Sequence, residues 1–164
     1  MEAHFLREYL LPHGKWLRRT LILFSFVFLD YLITLLSCGH PSLEGNSFAR
    51  AFMQAYGIPI GLTLFDLLMA IPLYVILCVD SQFVRLSGRY SIVIESLTDI
   101  VLGWLVAGAH MDGALSWISS APSIVCQLAG LVIYCVTMAQ PFFWNRIFLK
   151  QTMTNHRAHP TLAS

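Results

Sequence analysis

Hydrophobic positions along this chain gather into four long blocks, 20–38, 58–79, 91–110 and 123–144, instead of alternating with polar ones. Each block approaches the ~20 residues that an α-helix needs to cross ~30 Å of hydrocarbon. A helix is also the form in which such a block pairs its own backbone groups in lipid. The pattern predicts an all-α polytopic membrane protein with four transmembrane helices. Pro72 in the second block and Pro141 near the end of the fourth can each kink a membrane helix without ending it. Between the first two blocks, Phe48, Phe52 and Tyr56 recur every four residues behind Asn46, which predicts a short amphipathic helix capped by Asn46. Residues 111–122 read as a second semi-apolar loop, anchored by Trp117. Gly103, Ala107 and Gly108 predict close helix packing in the third block.

Composition agrees with this pattern. Of 164 residues, 57% are hydrophobic and 12% charged, against roughly 45–50% and about 25% in soluble domains. A net charge of +1 leaves no broad basic surface, and neither a phosphate loop nor a zinc knuckle is present, so nucleic acid is not an expected partner. Cys38, Cys78, Cys126 and Cys135 form no C-x-x-C pair, which speaks against a redox motif and for small buried hydrophobes. Cys38 and Cys126 fall near one membrane face, and a disulfide between them is left open.

Charge then gives organisation and orientation. Residues 1–19 form a basic segment, read as lying on the membrane surface and broken at Pro12 and Gly14. Residues 20–144 form the bundle and 145–164 a polar tail, with Phe142, Phe143 and Trp144 as an aromatic belt between them. Nine of the ten Lys and Arg residues lie on one side of the blocks, and Arg50 alone lies on the other. The asymmetry predicts both termini on the cytoplasmic side. Leu35, Leu36, Ser37 and Cys38 have the form of a lipoprotein processing site. The long basic leader, the interruption at Asp30 and the three blocks that follow favour uncleaved insertion.

Acids inside apolar blocks are the candidate chemistry. A carboxylate in hydrocarbon costs a few kcal/mol at least and is a functional-site hypothesis by default. With a rise of ~1.5 Å per residue, Asp30 and Asp66 lie at a similar depth, about 12 Å from the same end of their blocks, and Asp99 is about 16 Å from His110. The expected binding set is Asp30, Thr34, Asp66 and Asp99, with Tyr31, Thr63, Ser96 and Thr98 beside them. Clustered acids could exchange protons, or bind a metal through Asp30, Asp66, Glu44 and His110, with His40 nearby. They could also pair with a cationic amphiphile or act as acid and base toward a lipid. The bland alternative is that each acid bonds to hydroxyls or backbone of a neighbouring helix. Glu95 is expected in solvent or beside Arg89. The spacings Asp30 to His40 and Asp99 to His110 hint at a duplicated two-helix unit. No metalloprotease, serine-elbow or Walker motif occurs, and the catalytic residues and cofactor stay unassigned.

Two resemblances rest on short motifs. Asp30-x3-Thr34, a Gly-containing bend and Glu44-x-Asn46 before the second block resemble a family of small uncharacterised prokaryotic multi-span membrane proteins with an Asp-x3-Thr…Glu-x-Asn-Pro pattern. Ser47 stands here in place of the Pro, and Asp66 where a lysine often sits. That resemblance covers some fifty residues and implies no activity. Asp30, with Asp66, Leu67, Ile71 and Pro72, is similar to the sterol-isomerase and sigma-2-receptor-like four-helix superfamily. It implies that the two acids face a pocket for sterols or cationic amphiphiles.

These readings converge on an integral membrane protein whose intramembrane carboxylate pocket binds a small solute, ion or proton, in the manner of a carrier. Four helices leave little room for a pathway, so a homo-oligomer is expected. The alternatives are a lipid- or sterol-binding protein or enzyme using Asp30 and Asp66, and a non-catalytic assembly subunit whose partner supplies a basic residue. Intact-mass measurement of the extracted protein is expected to give the uncleaved sequence. A mass that begins at a lipidated Cys38 would reverse that expectation.

Overall fold

A computed structural model of the chain describes Pro12 and residues 14–87 and 90–139. Among these residues the structure is almost wholly helical, with no strands. Helix α1 spans Lys15–Ser37. A 3₁₀ turn at Pro41–Leu43 leads to α2, Ser47–Tyr56. Helix α3 runs Ile58–Ser87 and carries Pro72 inside it. Helix α4, Ser91–Ser116, contains a π segment at Gly103–Gly108, and α5 is Ser123–Ala139. Helices α1, α3 and α4 are long and apolar enough to cross a membrane, while α5 is a shorter apolar helix over the described residues. The expected extension of that block to residue 144, its aromatic belt and the polar tail 145–164 lie outside the described residues.

Local chemistry explains where these helices begin and end. Gly14 precedes α1 with a φ of 59°, a left-handed conformation that glycine adopts without steric cost. Lys15, Trp16, Arg18 and Arg19 belong to the first turns of α1, and residues 1–11 and 13 of the expected surface segment lie outside the described residues. Asn46 caps α2, its side-chain oxygen accepting from the backbone N–H groups of Phe48 and Ala49 at 3.0 and 3.4 Å. The buried face of α2 carries Ala49 and Met53, one residue on from the expected aromatic stripe, and leaves Phe48 and Tyr56 exposed. Helix α4 continues to Ser116 where a loop from 111 was expected. Ala114 and Leu115 favour the helix here, and Gly113 leaves room for a side chain that presses against it.

Large apolar side chains cover the outside. Leu21, Leu36, Ile71, Ile92 and Leu105 are all more than 60% exposed, an arrangement suited to hydrocarbon rather than water. Hydroxyls on these faces turn back on their own helices. Ser25 donates to the Leu21 carbonyl, Thr63 to Pro59 and Ser96 to Ile92, at 2.7 to 2.9 Å. Each polar group is thereby satisfied without solvent. The interior centres on Trp16, Leu23, Phe26, Leu77, Leu102, Ala107 and Tyr134. Small residues set the approach of α4 to α5 as expected. A methyl at Gly130 would fall 2.4 Å from the Ala107 carbonyl oxygen, and one at Gly108 would fall 3.0 Å from that of Gln127. Cys38 and Cys126 are both buried and both free.

Helices α2 and α3 fold back on each other at Gly61, where a methyl would lie 2.3 Å from the Phe52 carbonyl oxygen. Gly61→Ala is expected to lower stability by about 1–3 kcal/mol, read as a fall in thermal midpoint in detergent. Gly39→Ala, where no atom lies within 4 Å of the added carbon, should leave the midpoint unchanged.

Candidate functional site

Two polar networks join α1 to α4, and both obey one register. Lys15 meets Glu95, Arg19 meets Asp99 and Asp30 meets His110, each pair separated by 80 residues. The two helices therefore run side by side in the same direction. Eleven residues, about 16 Å of helix, separate the Arg19 level from the Asp30 level. This offset of 80 differs from the 69-residue spacing of Asp30 and Asp99 on which the suggested duplication rests. The two acids lie at different levels.

At the first level the Arg19 side chain is only 3% exposed. Its Nε and Nη2 donate to the two carboxylate oxygens of Asp99, both at 2.7 Å. The Tyr134 hydroxyl donates to Asp99 Oδ1 at 2.8 Å, bringing α5 into the same network. Glu95 lies 3.5 Å from Arg19 and 3.2 Å from Lys15. The guanidinium also lies over the Trp16 ring, 4.4 Å from its centre, a cation–π geometry. Arg18 donates to the Thr137 carbonyl. Asp99 thus pairs with a cation of its own chain. Thr98 turns away to Asp80 at 3.5 Å and Ser96 to its own helix. Glu95 pairs with Lys15 and Arg19, and Arg89 is outside the described residues.

At the second level the helices part around a cavity of about 820 Å³. Asp30, Tyr31 and Thr34 of α1, Glu44 of the connecting loop, Asp66 of α3, and His110 and Asp112 of α4 supply its polar lining. Leu62, Phe65, Met69, Leu73 and Val106 supply much of its apolar wall. Its size falls in the ~300–1,000 Å³ range of small-molecule pockets. Of the expected binding set, Asp30, Thr34 and Asp66 line this one space, and Asp99 does not.

Asp30 is held tightly. Its Oδ2 lies 2.9 Å from His110 Nδ1, and Oδ1 accepts from the Thr34 hydroxyl at 3.4 Å. Thr34 in turn accepts from the Trp117 indole N–H at 3.0 Å. A methyl at Gly113 would fall 2.7 Å from the Asp30 carboxylate, so that side chain is pressed flat against the α4 backbone. The Trp117 indole thereby belongs to this network. Tyr31 and Thr63 join α1 to α3 through their hydroxyls at 3.0 Å. Glu44 Oε1 accepts from the Asn46 backbone N–H at 2.8 Å, while Arg50 donates to the Glu44 carbonyl at 2.5 and 2.8 Å. Asp112 accepts from Ser123 and, at 3.3 Å, from Gln127. Among the described residues no donor reaches Asp66.

The proposed metal set Asp30, Asp66, Glu44 and His110 lines the cavity without gathering around a common centre. No three His, Cys, Asp or Glu side chains among the described residues are grouped to hold a metal ion. His40 lies apart, its Nδ1 2.8 Å from the Ser42 hydroxyl. Arg19, Tyr134, Gly113 and Trp117 are the participants that the sequence reading did not single out as partners of the acids. The 80-residue spacing shared by the α1–α4 pairs is a regularity that becomes visible once the helices are placed side by side. No protein-family model, curated protein or solved structure matches the chain.

Asp99→Asn would leave the buried guanidinium opposite a neutral amide, and removing one partner of a buried ion pair costs roughly 3–5 kcal/mol. A large loss of unfolding stability in mixed micelles is expected for Asp99→Asn. Most of it should return when Arg19→Met and Asp99→Leu are combined. Wild-type stability in Asp99→Asn would show that the pair does not hold the helices.

Proposed function

We propose that the chain is a multi-pass integral membrane protein of four spans, both termini cytoplasmic, whose intramembrane pocket binds a small, positively charged solute. The observation that carries this reading is the charge of the cavity lining. Asp30, Glu44, Asp66 and Asp112 face it together with one imidazole, and no Lys or Arg is among the described lining residues. Opposite charge within a few ångströms is strongly favoured where water is scarce. The volume exceeds what a bare ion needs, and the apolar wall suits a ligand with a hydrocarbon body. Phe65, Tyr31 and Trp117 add aromatic faces that attract cations. A carrier is the use that fits such a site, and an oligomer would supply the pathway that one copy lacks.

A second reading is favoured by the Asp30–His110 contact of 2.9 Å. A carboxylate and an imidazole at hydrogen-bond distance beside an apolar wall suit acid–base chemistry on a lipid or sterol. Mass spectrometry of co-purified lipid speaks to it directly. The assembly-subunit reading has less to support it, since Asp99 finds its cation on Arg19 and Asp30 its partner on His110.

Thermal-shift screening in lipid nanodiscs, with cationic, neutral and anionic solutes, tests the leading reading. Cations at about 100 times Kd should stabilise the wild type by ~2.7 kcal/mol, and the Asp30→Asn, Asp66→Asn double variant should show little of this. Equal stabilisation of both proteins, or a preference for anions, would rule it out.

A further inference from the structure

The four carboxylates around the cavity are not equivalent. Asp30 has His110 and Thr34, Glu44 has the Asn46 N–H, and Asp112 has Ser123 and Gln127. Asp66 is half-buried on α3 and, among the described residues, has no donor. Thr63, one turn away, is committed elsewhere, donating to the Pro59 carbonyl at 2.7 Å and contacting the Tyr31 hydroxyl at 3.0 Å. A carboxylate withdrawn from water is costly until a donor or an opposite charge answers it. Asp30 differs further, because Gly113 closes one side of its carboxylate. A ligand would have to displace His110 to take its place.

We propose that Asp66 is the carboxylate that contacts the solute, through a charge-assisted N–H···O bond from a protonated amine, and that Asp30 is a positioning residue that holds His110. This rests on the reading of the cavity as a cation pocket and divides its labour. The two acids thus have separate duties. Asp66 offers free acceptor oxygens, and charge-assisted bonds to such oxygens are roughly twice as strong as neutral ones. Asp30 fixes the imidazole against the cavity wall, so that the wall does not shift when the solute enters. An amine with N–H donors fits Asp66 better than a quaternary ammonium, which offers charge without a hydrogen bond.

Calorimetric titration in lipid nanodiscs, with n-hexylammonium and hexyltrimethylammonium as probes, tests the division. Wild-type protein should bind hexylammonium saturably and prefer it over the quaternary analogue. Asp66→Asn should weaken hexylammonium by about tenfold or more and abolish the preference. Asp66→Glu should restore the preference, which guards against a merely structural defect. Asp30→Asn should weaken hexylammonium less than Asp66→Asn does and keep the preference. An equal or larger loss in Asp30→Asn overturns the assignment while leaving a cation pocket in place. Binding that neither variant alters overturns the assignment and the pocket reading together. If wild-type protein does not bind hexylammonium, the amine inference fails, and the wider solute screen judges the pocket separately.

Discussion

The buried guanidinium of Arg19 is the constraint from which the rest of the arrangement follows. A charge that is 3% exposed must be answered, and Asp99 answers it with both oxygens in a fork that tolerates little sliding. Sliding α1 by one turn against α4 would separate the pair and strand both charges in apolar surroundings. The pair therefore sets the register of two parallel helices. Tyr134 extends the same constraint to α5 through its bond to Asp99. A buried ion pair is weak evidence for net stability, and its value here lies in specifying one alignment among several apolar ones.

Three turns along, that alignment brings Asp30 opposite His110 and opens a cavity instead of closing a core. The reason is the mixture of side chains that meet there. Thr34 and Trp117 bond to each other, Gly113 receives the Asp30 carboxylate, and α3 leans in with Asp66 and an apolar flank. Carboxylates cannot pack as Leu and Phe do, and each needs a donor. Where donors run short, space remains. The acids at the other end are engaged in holding the helices together, whereas those at this end line the cavity.

The helices were legible because block length and apolar content are strong signals in a chain of this kind. Asn46 was legible as a cap because its side chain acts on its own backbone, and Gly103, Ala107 and Gly108 were legible as a packing surface. Depth along a helix also placed Asp30 and Asp66 near one level, and they do share a cavity. The Asp99 level was not legible, because depth measured from the end of a block assumes where that block ends. Helix α4 runs six residues past His110 to Ser116. Arg19 was read as part of a surface segment, since a basic run before an apolar block most often is one. Its pairing depends on a residue 80 positions away, which composition and local spacing do not reveal. The roles of Gly113 and Trp117 depend on what a neighbouring helix presents, and no pattern within α4 foretells it.

Helix α4 is not uniform between these two levels. Over Gly103–Gly108 its hydrogen bonds widen into a π segment, a turn that holds a surplus residue and is often found at functional places. Asp99 bonds to Arg19 on one side of that segment, and His110 to Asp30 on the other. Each half of α4 is thus moored to α1 by its own polar contact, and the irregular turn falls between the two moorings.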